Sequence, residues 1–254
     1  MLPNFRISKT MVMSLIELAE RKMLPEFQHM DQQTLDWIRV HKPSLPRQEY
    51  KNKLFSYPFT RAESPLADEW YLEPKIIDGI HGTRHAIRVS IYAYALAIRL
   101  GLPEATCNVV ALAGLLHDVR RKDDKGDPEH GSRCAEWFRN YCHCIDLVQP
   151  LTDAERTTIG TAIGFHELAY DQIIGTSEYV RSKGMIDVLK TADALDRYRL
   201  PKLNWWIDDA FLKMKPSEEF KAFSFDLVVA SEQRFLDGND NAAAVVLALD
   251  QLTS

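Results

Sequence analysis

Apolar residues in this chain recur mostly every three to four positions, the spacing of one helical face. Over 8–28 the stripe Met11, Leu15, Ile16, Leu18, Ala19 and Met23 predicts an amphipathic helix. A shorter helix is predicted over 31–40, with Asp31 as its cap. Between 41 and 75 the period is lost, because Pro43, Pro46, Pro58, Pro65 and Pro74 break it. Tyr50, Phe55, Tyr57, Phe59, Trp70 and Tyr71 still give this stretch apolar surface, so an ordered arm lying on a core is expected. The helical period returns over 83–100 and stops at Gly101-Leu102-Pro103. Further helices are predicted over 103–117, 128–141 with Pro128 in the first turn, 152–165 opened by the Thr152/Glu155 capping-box pattern, 177–199, 216–235 and 239–252. Strand evidence is negligible. The expected class is therefore all-α: a helical bundle over 76–200, preceded by an extension over 1–75 and completed as one domain by helices over 201–254.

Composition narrows the function classes. The 254 residues suffice to bury a full core, and 46% hydrophobic with 26% charged residues is ordinary for a globular chain. A net charge of −5 opposes general nucleic-acid binding, yet leaves room for a local basic pocket that takes a phosphorylated small molecule. No apolar run reaches the roughly 18–20 residues of a membrane span. The amino end lacks a signal-peptide pattern, and four cysteines are too few for a disulfide framework. Cys142-His143-Cys144 lacks the spacing and the second pair of a zinc site. The cytoplasm is the expected compartment.

The chemistry starts at His117-Asp118, at the end of the apolar run 109–116. His85 lies upstream and Asp193 downstream, each on its own predicted helix. Adjacent helical residues point about 100° apart, so the dyad can serve one ion only at a helix end, which is where it falls. Imidazole and carboxylate together suit a divalent transition metal. His85, Arg88 and Tyr92 share one face by i, i+3, i+7 spacing, read here as a wet functional edge beside apolar Ile87, Ile91 and Ala95. His81, four residues before His85, and Arg88 are expected to contact substrate. Asp196 and Arg197 follow Asp193 on its face, either orienting ligands from behind or forming a surface pair. Lys122, Lys125, Asp123 and Asp124 read as a solvated turn, with Asp123 able to reach a bound water. Trp205-Trp206 reads as a core anchor rather than a base-stacking pair.

The segment His85-Ala86-Ile87-Arg88-Val89, the dyad His117-Asp118 and Asp193 within Ala192-Asp193-Ala194-Leu195-Asp196 resemble the HD-domain superfamily of metal-dependent phosphohydrolases over residues 78–200. The stretches 80–85 and 127–131 are similar to one branch of it. The resemblance implies that His85, His117 and Asp193 hold one ion. It also implies that His130 and His166 hold a second ion, with Asp118 bridging the two. The ions would be one or two of Mn, Fe, Co, Ni, Mg or Zn. Where two-metal members often carry a doubled histidine, this chain has Phe165-His166, so the ion count stays open. Arg121 stands where related cyclic-dinucleotide enzymes carry a lysine, and is expected to clamp phosphate. Asp118 and His130 would handle protons while a metal-activated water attacks phosphorus. The substrate expected is a nucleotide or other small phosphoester, and a homodimer stays open. Two other classes are carried: an HD-fold di-iron oxygenase acting on a small polar substrate, and a regulatory or binding module with a structural metal.

Overall fold

The computed structural model describes residues 13–46, 57, 66–144 and 150–254, and among these it is helical with no strand. The helices are α1 (Leu15–Glu20), α2 (Gln32–Val40), α3 (Thr83–Arg99), α4 (Glu104–Leu116), α5 (His130–Tyr141), α6 (Asp153–Phe165), the single turn α7 (Tyr170–Ile173), α8 (Ser177–Leu195), α9 (Glu218–Leu236) and α10 (Asn241–Thr253). The caps expected from sequence are in place. Asp31 accepts the Thr34 N–H ahead of α2. Thr152 and Glu155 form a reciprocal capping box on α6, and Asp240 caps α10.

Two predicted helices are shortened. The stripe over 8–28 yields only Leu15–Glu20, since Lys22 turns into left-handed backbone at φ +59° and Pro25 bars continuation. Residues 8–12 lie outside the described residues. The helix over 177–199 ends at Leu195 and tightens into a 3₁₀ turn, Asp196–Arg199. The turn α7 was not foreseen. Its start is held by the Gln172 side chain, which accepts the Ala169 N–H at 2.9 Å.

Helix α3 is the axis of the bundle and packs against α4, α8, α9 and α10. It is buried from Thr83 to Ala97, which overturns the wet edge: Arg88 and Tyr92 are wholly enclosed. Around it Leu112, Leu115, Phe138, Ile163, Ile186 and Leu189 build the main core. Helices α1 and α2 pack Leu15, Leu35 and Ile38 against Tyr198, Trp206, Phe225 and Val228, so the N-terminal extension rests on the C-terminal part of the chain. Trp206 is the expected anchor, and its Nε1 donates to the Leu200 carbonyl at 2.9 Å. Of the arm, Tyr57, Leu66 and Tyr71 are buried in the main core. The Leu72 N–H donates to the Val119 carbonyl, next to the dyad, at 3.0 Å. Tyr50, Phe55 and Phe59 lie outside the described residues. No helix of the described residues is long and apolar enough to cross a membrane.

The closeness of α3 and α4 depends on Gly114. A Cβ there would meet the Ser90 Cα at 3.0 Å and the Val89 carbonyl oxygen at 3.1 Å. The bare glycine lets the Ser90 hydroxyl reach the Ala111 carbonyl at 2.7 Å and brings His85 opposite His117. Overpacking of such a contact costs about 1–3 kcal/mol. Gly114→Ala is therefore expected to lower the midpoint of urea unfolding while leaving the slope unchanged.

Candidate metal centre

Four imidazoles meet in two pairs. His85, in the first turn of α3, places Nε2 3.1 Å from Nε2 of His117, at the end of α4. His130, which opens α5, places Nε2 3.0 Å from Nε2 of His166, at the end of α6. Asp118 lies between the pairs. Its Oδ2 is 3.5 Å from His85 and 3.8 Å from His117. Its Oδ1 is 3.1 Å from His130 and 3.4 Å from His166. Asp193, on α8, reaches the first pair with Oδ1 at 3.5 and 3.9 Å. The ligand atoms of His85, His117 and Asp193 thus lie within 4.8 Å of one another, as do those of His117, Asp118 and His166. The helix-end position is what allows the adjacent His117 and Asp118 to face one point.

The tautomers follow from the opposite side of each ring. His117 Nδ1 lies 2.7 Å from the Gly114 carbonyl, His130 Nδ1 2.5 Å from the Asp127 carbonyl and His166 Nδ1 2.7 Å from the Ile163 carbonyl. A carbonyl only accepts, so each Nδ1 carries the hydrogen. His85 Nδ1 is 2.8 Å from the Asp196 carboxylate, another acceptor. All four Nε2 lone pairs therefore face inward, and facing lone pairs at 3.0–3.1 Å repel unless positive charge stands between them. Nitrogen ligands about 2.1 Å from one cation lie about 3.0–3.4 Å apart, so the pairs fit a shared ion. Asp118 Oδ1 is buried without a hydrogen-bond partner, as a ligand oxygen awaiting a cation would be. Burial drives His117 down to about 3, keeping it neutral. Burial would raise Asp118, but Arg121, His117 and His130 hold it well below the usual carboxylate range.

Each ligand is braced from behind. Asp196 is fully buried and grips His85, so the surface-pair reading of Asp196 fails. Glu167 Oε2 is 2.8 Å from His130 Nδ1. A Cβ at Gly131 would stand 3.0 Å from the Ile163 carbonyl oxygen, so the glycine lets α5 close on α6 and bring His130 to His166. Lys190, on α8, donates to the carbonyls of His166 at 2.7 Å and Leu168 at 2.5 Å, fastening the end of α6. Burial lowers its ammonium to about 8. Sequence reading missed Glu167 and Lys190. The one signal for Glu167 was its place directly after a candidate ligand.

A cavity of about 780 Å³ opens from this centre. Asp118, His130, His166 and Asp193 line it, as do His81 and Arg121. Arg121 Nη1 is 3.1 Å from His130 Nε2 and 3.4 Å from Asp118 Oδ2. His81 Nδ1 bonds Asp124 Oδ1 at 2.7 Å. Asp124 is thereby a correction: it is buried and bonded to the half-buried His81, not part of a solvated turn. Asp123 caps its own loop by accepting the Lys125 and Gly126 N–H groups. Arg88 does not reach the cavity, because its guanidinium is spent on Asp196 and Glu232. Arg197 does line the cavity and is exposed.

No family model, no curated protein and no solved structure matches the chain.

The turn that aims His130 depends on Asp127, which accepts two bonds from Arg133 and one from the Lys122 N–H, all at 2.8 Å. Burial would raise this carboxyl, but Arg133 and Lys122 outweigh it and hold it at about 2. A depressed carboxyl stabilises the fold above its unfolded value of about 3.9, and the gain is lost as pH falls through about 2. Asp127→Asn is therefore expected to cost on the order of 2 kcal/mol at neutral pH. The gap to the parent protein should shrink below about pH 4 when urea unfolding is repeated across the acid range.

Proposed function

We propose that this protein is a metal-dependent phosphohydrolase of the HD-domain type, acting on a nucleotide or other small phosphoester. The observation that carries the reading is the convergence of four inward imidazole nitrogens on the two oxygens of Asp118, one of which accepts no hydrogen bond from the protein. His85, His117 and Asp193 would hold one divalent ion, and His130 with His166 a second, with Asp118 shared. When bound, such an ion supplies a water that ionises near neutral pH and positive charge against a phosphoryl group.

The protein's own groups provide the remainder. Arg121 stands at the cavity wall within 3.4 Å of Asp118, placed to bind phosphoryl oxygens with its planar fork. His81 is neutral, because burial, then Arg121 and Arg199, hold its imidazole well below the usual range. Its Nδ1–H is given to Asp124, so Nε2 is the proton-accepting atom, oriented as a carboxylate orients a catalytic histidine. His130 is held up at about 10; burial opposes its charge, but the Asp118 and Glu167 carboxylates prevail. Tyr170, Trp206 and Phe211 supply aromatic wall farther out, and the cavity volume falls within the range of small-molecule sites. The lysine cradle that an oxygenase reading would favour is weakly represented: of the two lysines lining the cavity, Lys190 is spent on backbone carbonyls and Lys213 sits over the Tyr170 ring.

Manganese-loaded protein is expected to release nitrophenolate from bis-nitrophenyl phosphate, and Asp118→Asn to abolish release. His81→Asn should lower kcat by about 10²–10⁴-fold with metal content unchanged. Oxygen uptake by iron-loaded protein, without nitrophenolate release, would overturn the reading in favour of an oxygenase. Inertness toward both assays would favour a binding module.

A further inference from the structure

A line of buried charges joins helix α9 to His85, and the cavity chemistry does not use it. Glu232, on α9, accepts Arg84 Nε at 3.0 Å and Arg88 Nη1 at 2.7 Å. Arg88 sets Nε and Nη2 on the two oxygens of Asp196 at 2.6 and 3.0 Å. Asp196 then takes the His85 Nδ1 hydrogen at 2.8 Å. Glu232, Arg84, Arg88, Asp196 and His85 are each no more than 1% exposed. Arg199, also buried, adds a bond to the Asp196 carbonyl at 3.0 Å. Buried ion networks are rarely the best use of core volume, because apolar residues of similar size often stabilise as well or better. A network that ends on a ligand imidazole calls for a reason besides stability.

We propose that Glu232 and Arg88 are positioning residues for the metal centre: they hold Asp196 so that it takes the Nδ1 hydrogen of His85 and leaves Nε2 aimed at the ion, which makes the docking of α9 a condition of metal retention. The inference rests on the metal reading given above. Its logic is electrostatic. The ion pairs of the network set three guanidinium groups, Arg84, Arg88 and Arg199, against two carboxylates, Asp196 and Glu232, so the network itself already carries one surplus positive charge. Neutralising Glu232 makes the surplus two. The full charge of Arg88 then falls on Asp196, which becomes a poorer acceptor for His85, and the Nε2 lone pair becomes less basic.

The test uses the full-length chain, stripped by a chelator and titrated with Mn²⁺, with free ion read by electron paramagnetic resonance. Asp196→Asn is expected to weaken Mn²⁺ binding about 10–100-fold, Glu232→Gln about 3–30-fold, and Glu232→Asp to recover most of the loss. Asn241→Ala serves as the control, because Asn241 bonds Arg84 and Asp78 but not the Arg88–Asp196–His85 line. It should lower the melting temperature and leave Mn²⁺ affinity within about twofold. A purely structural role would lower the melting temperatures of metal-free and Mn²⁺-loaded protein equally. Parent-like affinity in Glu232→Gln and Asp196→Asn would overturn the proposal, as would an equal loss in Asn241→Ala. A parent chain that binds no Mn²⁺ would instead overturn the metal reading beneath it. Should the Glu232 variants fail to fold, nitrogen–proton correlation spectra of the parent chain decide: hydrogen on His85 Nδ1 supports the proposal, and hydrogen on Nε2 overturns it.

Discussion

Two pairs of imidazole nitrogens stand 3.0–3.1 Å apart with their lone pairs opposed, and this is the constraint around which the structure is arranged. Each ring has its other nitrogen committed to an acceptor, so no simple change of tautomer relieves the repulsion. Positive charge must enter between the rings, as a proton or as an ion. Asp118 offers one oxygen to each pair and Asp193 adds a third to the first pair. Anionic oxygens in that position raise the demand for a cation and would be costly to bury without one.

The fold meets this constraint with a few local devices. Helices α4 and α6 both end on a ligand histidine, and in each the ring reaches back to a carbonyl three residues earlier, an orphan acceptor of the helix end. The helix terminus therefore satisfies itself and fixes the imidazole with one bond. Small residues set the inter-helix spacing. Gly114 brings α3 to α4 and Gly131 brings α5 to α6, which is why each pair of rings meets at hydrogen-bond distance. The 3₁₀ turn after α8 then folds Asp196 inward behind His85 and brings Arg199 to the cavity side of the same ring, with Nη2 3.5 Å from His85 Nε2.

Helical periodicity and capping chemistry made the bundle legible in the sequence, since both are local: Asp31, Thr152 and Asp240 each cap the helix they announce. The histidines and aspartates that converge were legible as a set, because their order along the chain and their places at helix ends agree. Arg88 was misread for a physical reason. Spacing assigns a residue to a face but not to a neighbour, and α3 turned out to be covered on every side, with charge meeting charge. Glu232 left a trace that could have been followed. It stands seven residues after Phe225 and four after Val228, on a stripe otherwise apolar, and a carboxylate there must be paired when buried. Asp124 left none, because in a loop rich in Asp and Lys nothing local distinguishes the one carboxylate that turns inward to Gln28 and His81.

The charge balance of the centre also bears on what it can bind. Asp118 and Asp193 carry two negative charges, which one divalent ion would cancel. Glu167 is set against His130. Arg121 and Arg199 line the same cavity, and Arg199 finds only part of a partner in Asp196, already held by Arg88. With a divalent ion in place the inner end of the cavity would therefore be positive, although the chain as a whole carries −5. A cavity with low-dielectric walls concentrates that local field, and the protein's net charge has little say at such short range. An anion entering such a metal-loaded cavity would meet attraction that a neutral or cationic molecule of the same size would not, which is why the proposed reading favours a phosphoryl group over an uncharged substrate.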